Sequence, residues 1–555
     1  MQLTDEQKDI RETGGDVVSR GGNLKVIAFA GAGKTTTLKT LAEGIQRRGC
    51  YLAFNKSIAD EARRKFARTR CTAYTMHALA FGAVRDIIDA PASLTPKDFR
   101  ESGILSKVFF PTLRGWTEFR ISAAVCRTLS TFCNSDDETI GVHHAEEAMI
   151  SASGDPDLMR NEKKAEEVRN ALRQLAGPIA DMASMYWRDV LSEGRFSHDV
   201  YLKLLDLDAD LRRDAFGAFR YLMVDEAQDL NPVQRSILEK TGLPLIAVGD
   251  PYQQIYSWRG AENALAKIEG EVRFLTQSFR FREDIAGIAR QILESRPDGG
   301  PEQRLIGAGS GSLSGYKGPR IAVICRSNIG MIDEALKCAE KGLPAHVDNI
   351  QGLLADVLSA EALYCNEPHK VTSTDLRQFD SWEELKAEAE EAGGSLQRLV
   401  QIVTTNRVGQ IRSLAERQSG SPAGAGILIC TAHRSKGLEF PGVSLGGDWR
   451  NIDTMEKRYR KSREESEKHV TLAMEEWNAL YVAATRAILR LKGIAPILER
   501  SPDPNDPDVP PDYVPPDHMP SEHAAPRHPR AEAGARPRRI DEAADIVFDR
   551  GRIGP

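Results

Sequence analysis

No apolar run in the 555 residues approaches the ~18 consecutive positions that a membrane-spanning helix needs, so no membrane association is expected. The opening residues, Met1-Gln2-Leu3-Thr4-Asp5-Glu6, carry neither the basic patch nor the apolar stretch of an export signal, and none is expected. Positive charge is not in excess: 74 Lys and Arg against 80 Asp and Glu give a formal charge of −6. That excludes a generally basic, histone-like binder and leaves room for a local basic groove. Cysteine is sparse, at positions 50, 71, 126, 133, 325, 338, 365 and 430, with no CxxC pair. This usage fits a reducing compartment better than a disulfide scaffold or a structural zinc site. Single hydrophobic cores stop growing at roughly 250–300 residues. A chain of 555 residues, 41% hydrophobic and 28% charged, is therefore expected to form two large units.

What is present is an alternation of buried-strand runs with helical patterns, the mark of an α/β fold with parallel sheets. Strands are expected at 24–29, 50–54, 221–224 and 245–248, then at 320–325 and 427–431. Residues 91–214 and 350–424 are polar and helical in pattern and read as an insertion in each unit. The last 55 residues hold 12 of the 28 prolines, in runs such as Val509-Pro510-Pro511 and Val514-Pro515-Pro516. Such a segment cannot bury enough apolar surface to offset its ordering entropy, so 501–555 is expected to be a disordered tail with room for a protein-docking peptide.

The first chemical motif is Ala28-Phe29-Ala30-Gly31-Ala32-Gly33-Lys34-Thr35, followed by Thr36. It stands between an expected strand and an expected helix. Small residues there let backbone N–H groups surround a phosphate chain. Lys34 is placed to neutralise the β- and γ-phosphates, and the Thr35 hydroxyl to hold Mg²⁺. Ala28 stands where a first glycine is usual. Downstream, Tyr221-Leu222-Met223-Val224-Asp225-Glu226 is a hydrophobic strand that delivers two carboxylates at its C-terminal end, where α/β sheets place ligands. Asp225 would complete the Mg²⁺ shell and Glu226 would orient or deprotonate the attacking water. The pair of motifs points to nucleotide hydrolysis.

Two further segments, Asp225-Glu226-Ala227-Gln228-Asp229-Leu230 and the run from Val248-Gly249-Asp250-Pro251 to Trp258-Arg259-Gly260-Ala261, resemble the UvrD/Rep branch of superfamily 1 DNA helicases. Leu3-Thr4-Asp5-Glu6-Gln7, Thr75-Met76-His77, Gln277-Ser278-Phe279-Arg280, the run Thr431 to Phe440 and the run Glu475 to Ala487 match further family motifs, in the family's order. Asn478, where Arg is usual, and Phe196 to Leu204 resemble the F-box DNA helicase subgroup. The Gln7 motif begins at residue 3, so no F-box is expected before it.

The resemblance implies two RecA-like P-loop NTPase domains. The first is expected over 1–90 and 215–275 around the insertion 91–214. The second is expected over 276–349 and 425–500 around the small insertion 350–424. It implies that ATP is held by Gln7, Ala30, Gly31, Ala32, Gly33, Lys34, Thr35, Thr36, Phe279, Arg280, Gly437, Glu439 and Arg486. Gln7 would pair with adenine, Phe279 would stack on it and Glu439 would hold the ribose. Gln253 would sense the γ-phosphate, and Arg280 and Arg486 would come to it from the second unit. The DNA set is Phe54, Asn55, Thr75, His77, Tyr256, Trp258, Arg259, Thr431 and His433, with Trp258 as the stacking platform. Single-stranded and 3′-tailed duplex DNA are the implied partners, with 3′→5′ movement and a role in repair, recombination or replication. The location would be cytoplasmic, at the nucleoid, in a prokaryote or phage, and nuclear in a eukaryote. A single-strand translocase that removes bound proteins with little unwinding, and an ATP-dependent scaffold recruited through the tail, are the alternatives.

Overall fold

The computed structural model describes residues 3–500 apart from 89–91, 93, 109–115, 117, 153–161, 258–261, 314–315, 374–375, 378, 380, 393, 419–421, 423–424 and 464–466. The expected tail, 501–555, and with it the docking peptide, lies outside the described residues. Trp258 and Arg259 also lie outside them.

The first unit comprises Met1–Arg280 with Glu302–Ala308 and Glu390–Ala392. Its sheet holds six strands: β1 (Leu24–Ala28), β2 (Gly49–Leu52), β3 (Cys71–Tyr74), β4 (Tyr221–Val224), β5 (Leu245–Gly249) and β6 (Glu271–Leu275). They run in the order β3-β2-β4-β5-β1-β6, and every pairing is parallel. β2, β4 and β5 are buried along their whole length. That is why they read as continuous apolar runs. β3 and β6 are the edges and are only half buried. Strands β7 (Gln277–Ser278) and β8 (Ile306–Gly307) form a separate small pair in this unit.

Helices pack on both faces of the sheet. On one lie α1 (Asp5–Arg20), α2 (Lys34–Gly44) and α3 (Lys56–Lys65), with Ile10, Val17, Leu38, Leu41 and Ala62 buried against Val26, Tyr51 and Met223. On the other lies α4 (Met76–Val84) together with the insertion. Its helices Glu118–Asn134, Val142–Ala152, Glu162–Ser192 and His198–Leu207 share one core with Leu52, Leu222, Val224 and Ala247. The insertion thus has no core independent of the sheet, because polar amphipathic helices have a single apolar stripe to bury.

The second unit comprises Phe281–Pro301, Gly309–Ala389 and the chain from Gly393. Its parallel sheet is built from β9 (Ile321–Cys325), β10 (Ala345–Val347), β11 (Ile427–Thr431), β12 (Phe440–Leu445) and β13 (Ala487–Lys492), ordered β10-β11-β9-β12-β13. The second insertion also shares the sheet's core: Leu353, Val357, Leu385 and Ile411 pack with Val323, Val347 and Ile429. Gln418 ties it to the edge strand, accepting from Val347 N–H at 2.8 Å and donating to Val347 C=O at 2.9 Å. Among the described residues no helix is long and apolar enough to cross a membrane.

Candidate functional site

β1 ends at Ala28, the position expected to depart from the usual glycine, and Ala28 is simply the last strand residue, fully buried. The loop then turns at Gly31 (φ +73°) and Gly33 (φ +79°), left-handed conformations that favour glycine. A Cβ on Gly31 would also meet Ser278 Oγ at 2.6 Å and Arg280 Cβ at 2.7 Å. Gly33 caps α2 without a side-chain hydrogen bond. The first N–H groups of an eleven-residue helix are therefore left for an anion, the arrangement that binds phosphate at helix N-termini. Ala30 and Ala32 complete the loop. Lys34, Thr35 and Thr36 form the first turn of α2.

Three carboxylates surround Lys34. Its Nζ lies 3.0 Å from Glu226 Oε1. Burial works against its charge, but Glu226, Asp225 and Asp250 outweigh that and hold its pKa above the usual lysine value. Asp225 accepts from Tyr51 OH at 2.6 Å and from Thr35 Oγ1 at 3.3 Å. Its carboxyl is raised above the ordinary range by burial first and by Glu226 second. Glu226, the second residue after β4, holds φ +56°, a left-handed conformation that is costly for a residue with a long side chain. Gln228 donates to Glu226 Oε2 at 2.6 Å and accepts from Asp250 N–H at 3.0 Å. Buried Gln253 donates to Asp250 Oδ2 at 2.7 Å. Tyr51, Gln228 and Asp250 were not assigned roles from the sequence. Asp250 carried a usable signal, since it follows β5 as Asp225 follows β4.

Gln7 is buried beside this loop. It closes a capping box with Thr4 and donates to Thr37 Oγ1 at 3.2 Å. A Cβ on Gly33 would meet Gln7 Nε2 at 3.3 Å and the Phe279 ring at 3.7 Å, so Gln7 and Phe279 flank the same turn. Here the structure corrects the sequence reading. Arg280 closes the first unit instead of arriving from the second. The reason is local: Phe279 N–H donates to Gly31 C=O at 2.9 Å, and β7 pairs with β8, so the segment is tied to the phosphate loop.

The C-terminal ends of β2 and β3 present a second group. Phe54, 46% exposed, stacks on Tyr256 with centroids 5.7 Å apart and planes at 15°. Asn55 and Thr75 cap α3 and α4, accepting from Ile58 N–H at 2.9 Å and Ala78 N–H at 3.1 Å. His77 lies in the first turn of α4, with the His198 and Tyr201 rings edge-on to it. Burial first, and His198 as well, lowers its pKa against the pull of Asp199, which favours the neutral ring.

In the second unit Thr431 repeats the Thr75 arrangement, capping a short helix by accepting from Arg434 N–H at 3.4 Å, with His433 in the same turn. Gly437 is left-handed (φ +81°) and Glu439 is exposed. Arg486 is buried, donating to Val482 C=O at 3.0 Å and Leu438 C=O at 3.3 Å. Asn478 is also buried and accepts from Arg296.

Known families account for this arrangement. Residues 11–269 match the UvrD/REP helicase N-terminal domain, and residues 367–492 match the UvrD-like helicase C-terminal domain. The chain belongs to the UvrD/Rep helicase family. Among members of that family it is 31% identical over 512 residues to F-box DNA helicase 1 of Gallus gallus, covering 88% of this chain and 48% of that protein. It is 27% identical over 533 residues to F-box DNA helicase protein 1 of Schizosaccharomyces pombe, covering 88% and 57%. The ATP-dependent DNA helicase UvrD2 of Mycobacterium bovis is 23% identical over 579 residues, covering 90% and 79%. The chain spans about half the length of the two F-box relatives.

Proposed function

We propose that this UvrD/Rep family chain is an ATP-dependent DNA helicase that hydrolyses ATP on the phosphate loop and moves 3′→5′ along single-stranded DNA. The observation that carries the reading is the Lys34–Glu226 pair at 3.0 Å, set beside Asp225 at the mouth of an uncapped helix. Phosphates at that mouth would draw Lys34 away from Glu226, since the ammonium gains more from two phosphoryl groups than from one carboxylate. Glu226 is then free to orient the attacking water and take its proton. Gln253, held by Asp250, stands as the sensor of the γ-phosphate.

The donor set also fits magnesium. Thr35 Oγ1 and the Asp225 carboxylate are hard oxygen ligands, 3.3 Å apart, and burial beside Glu226 leaves the Asp225 carboxylate with charge that a further cation would stabilise. Bound there, Mg²⁺ would neutralise phosphate charge. The adenine falls to Gln7 and Phe279.

The exposed Phe54–Tyr256 stack supports the strand reading, because an aromatic face accepts any base. Thr75, His77, Thr431 and His433 lie at strand ends suited to phosphate contacts. Single-stranded and 3′-tailed duplex DNA are the proposed substrates, in repair, recombination or replication. The protein would work wherever that DNA lies, at the nucleoid or in the nucleus, and the tail is a place for a protein partner. The test compares strand displacement on 3′-tailed, 5′-tailed and blunt duplexes with ATP turnover measured with and without single strands. Stimulated turnover with displacement of the 3′-tailed duplex alone is expected. Turnover indifferent to DNA refutes the motor, and displacement from the 5′ tail refutes the direction.

A further inference from the structure

At the opposite end of the first sheet, where its strands begin, positive charge is concentrated in one place. Gly49 of β2 pairs with Cys71 of β3 on one side and with Tyr221 of β4 on the other. The residues just before these three are Arg48, Arg70 and Arg220. Sheet register thus sets three arginines, 22 and 150 residues apart in sequence, in one row across three adjacent strands spaced ~4.8 Å apart. Backbone bonds fix the row: Gly49 N–H donates to Arg70 C=O at 3.0 Å, and Arg220 N–H to Arg48 C=O at 2.8 Å. Arg47 adjoins it, and Arg64 and Arg68 lie at the end of α3 and in the loop leading to β3. All six are exposed.

None of these charges is closed into an ion pair among the described residues, although Glu61 lies near enough to Arg64 to feel its charge. Arg63 and Lys65 in the same stretch are paired with Asp60 and Glu61. The six have no carboxylate partner within ion-pair distance among the described residues. Arg48 lies over the Phe219 ring at 5.7 Å, and Arg70 and Arg220 donate to the carbonyls of Gln46 and Gly217 at 3.0 and 2.9 Å. These contacts orient the guanidiniums without cancelling their charge. The residues before β5, β1 and β6 are Pro244, Asn23 and Gly270, so the basic character stops at the middle of the sheet. A row of like charges repels itself, which a polyanion laid along it reverses.

We infer that this row and the three arginines beside it together form a second DNA contact, a seat for the phosphate backbone of duplex lying outside the strand channel. The inference rests on the DNA-motor reading above. Thr75 is five residues on from Arg70 and Phe54 six on from Arg48, so the row stands ~16–20 Å from that end. It therefore engages a separate stretch of backbone. Guanidinium suits phosphate, because its planar fork donates two parallel hydrogen bonds. The row spans ~10 Å, about three steps of a nucleic-acid strand that carries one phosphate per ~3.4 Å of duplex axis.

The test uses the full chain carrying Arg47→Gln, Arg64→Gln and Arg68→Gln, three side chains with no hydrogen bond among the described residues. Binding to a 3′-tailed duplex is measured across salt concentration. The slope of log affinity against log salt is expected to fall by about 2–3, at ~0.9 per lost phosphate contact. Affinity near 0.15 M salt should drop by at least about tenfold. Melting temperature and ATP turnover stimulated by a short single strand should stay as in the wild type. Arg64→Glu alone should shift duplex affinity in the same direction, which guards against a misfolded triple variant. Unchanged duplex affinity and slope overturn the inference. If the variant instead loses only binding to polyglutamate, the row serves an acidic protein and the DNA assignment is overturned. A wild type that binds no DNA at all would instead bring down the motor reading beneath it.

Discussion

Replacing Phe54 by alanine removes an aromatic face that the fold leaves 46% exposed. Among the described residues its aromatic partner is Tyr256, at 5.7 Å and 15°. An aromatic pair of this kind is worth about 0.5–1.5 kcal/mol beyond its buried area. At ~2–4 °C per kcal/mol in a unit of this size, the melting temperature should fall by only a few degrees. A base stacked on that face contributes about 1–3 kcal/mol. At ~1.4 kcal/mol per tenfold, the variant should bind single strands roughly 5- to 140-fold more weakly. ATP turnover without DNA should be unchanged, because Phe54 follows β2 while the phosphate loop follows β1. The assays are fluorescence anisotropy with a homopolymer strand, DNA-free ATPase and thermal melting, all on one preparation. Phe54→Tyr should restore affinity, since it keeps the ring. Equal loss in all three assays, or unaltered affinity, would refute the platform.

Lys34→Ala should abolish ATP turnover while circular dichroism stays native, because the loop is shaped by its glycines and not by the lysine; near-normal turnover sinks the site. Gly31→Ala should abolish nucleotide binding, measured with a fluorescent ATP analogue, since a Cβ there would lie 2.6 Å from Ser278 Oγ on a left-handed backbone. Asp225→Asn should end turnover yet melt higher than the wild type in ligand-free buffer at neutral pH. The sign follows from the raised carboxyl: its contribution to stability is present below the unfolded pKa, near 4, and is lost as pH rises through the folded value, a loss that asparagine does not suffer. Lys203→Met should destabilise the first unit by up to about 3–5 kcal/mol by chemical denaturation. It breaks a fully buried pair with Asp206 at 3.0 Å, and the loss is moderated because Lys240 and Ser236 still bond Asp206.

What could be read from the sequence was what is local. The phosphate loop is eight consecutive residues whose conformation is set by two glycines, so the string carries the geometry. β4 and β5 are buried on every side and wrote themselves as unbroken apolar runs. β3 and β6 escaped because edge strands are half exposed: Glu271-Val272-Arg273 alternates charge with an exposed valine and looks like loop. β10, of three residues, and the alternating β13 escaped for the same reasons of length and exposure.

Long-range placement was legible only through motif order. Nothing near Tyr51 in sequence announces that its hydroxyl meets Asp225, because that contact is made by the pairing of β2 with β4. Arg280 was assigned to the wrong unit for a similar reason: the chain continues into the second unit at the next residue, and only the bond from Phe279 to the Gly31 carbonyl shows which side holds it. The arginine row is the extreme case, since its members are unremarkable surface cations until the register aligns them. The positions where local rules fail share a pattern. Glu226 takes a left-handed backbone conformation that favours glycine, Asp225 and Asp250 are buried carboxylates, and Phe54 leaves an aromatic ring in water. Each costs stability, and a sequence selected for folding alone would have removed them. All four sit directly after, or one residue beyond, the ends of β2, β4 and β5, three neighbouring strands of one sheet. That shared address, more than any single residue, is what the sheet supplies: β4, which leads to Glu226, is hydrogen-bonded directly to β2, which leads to Phe54.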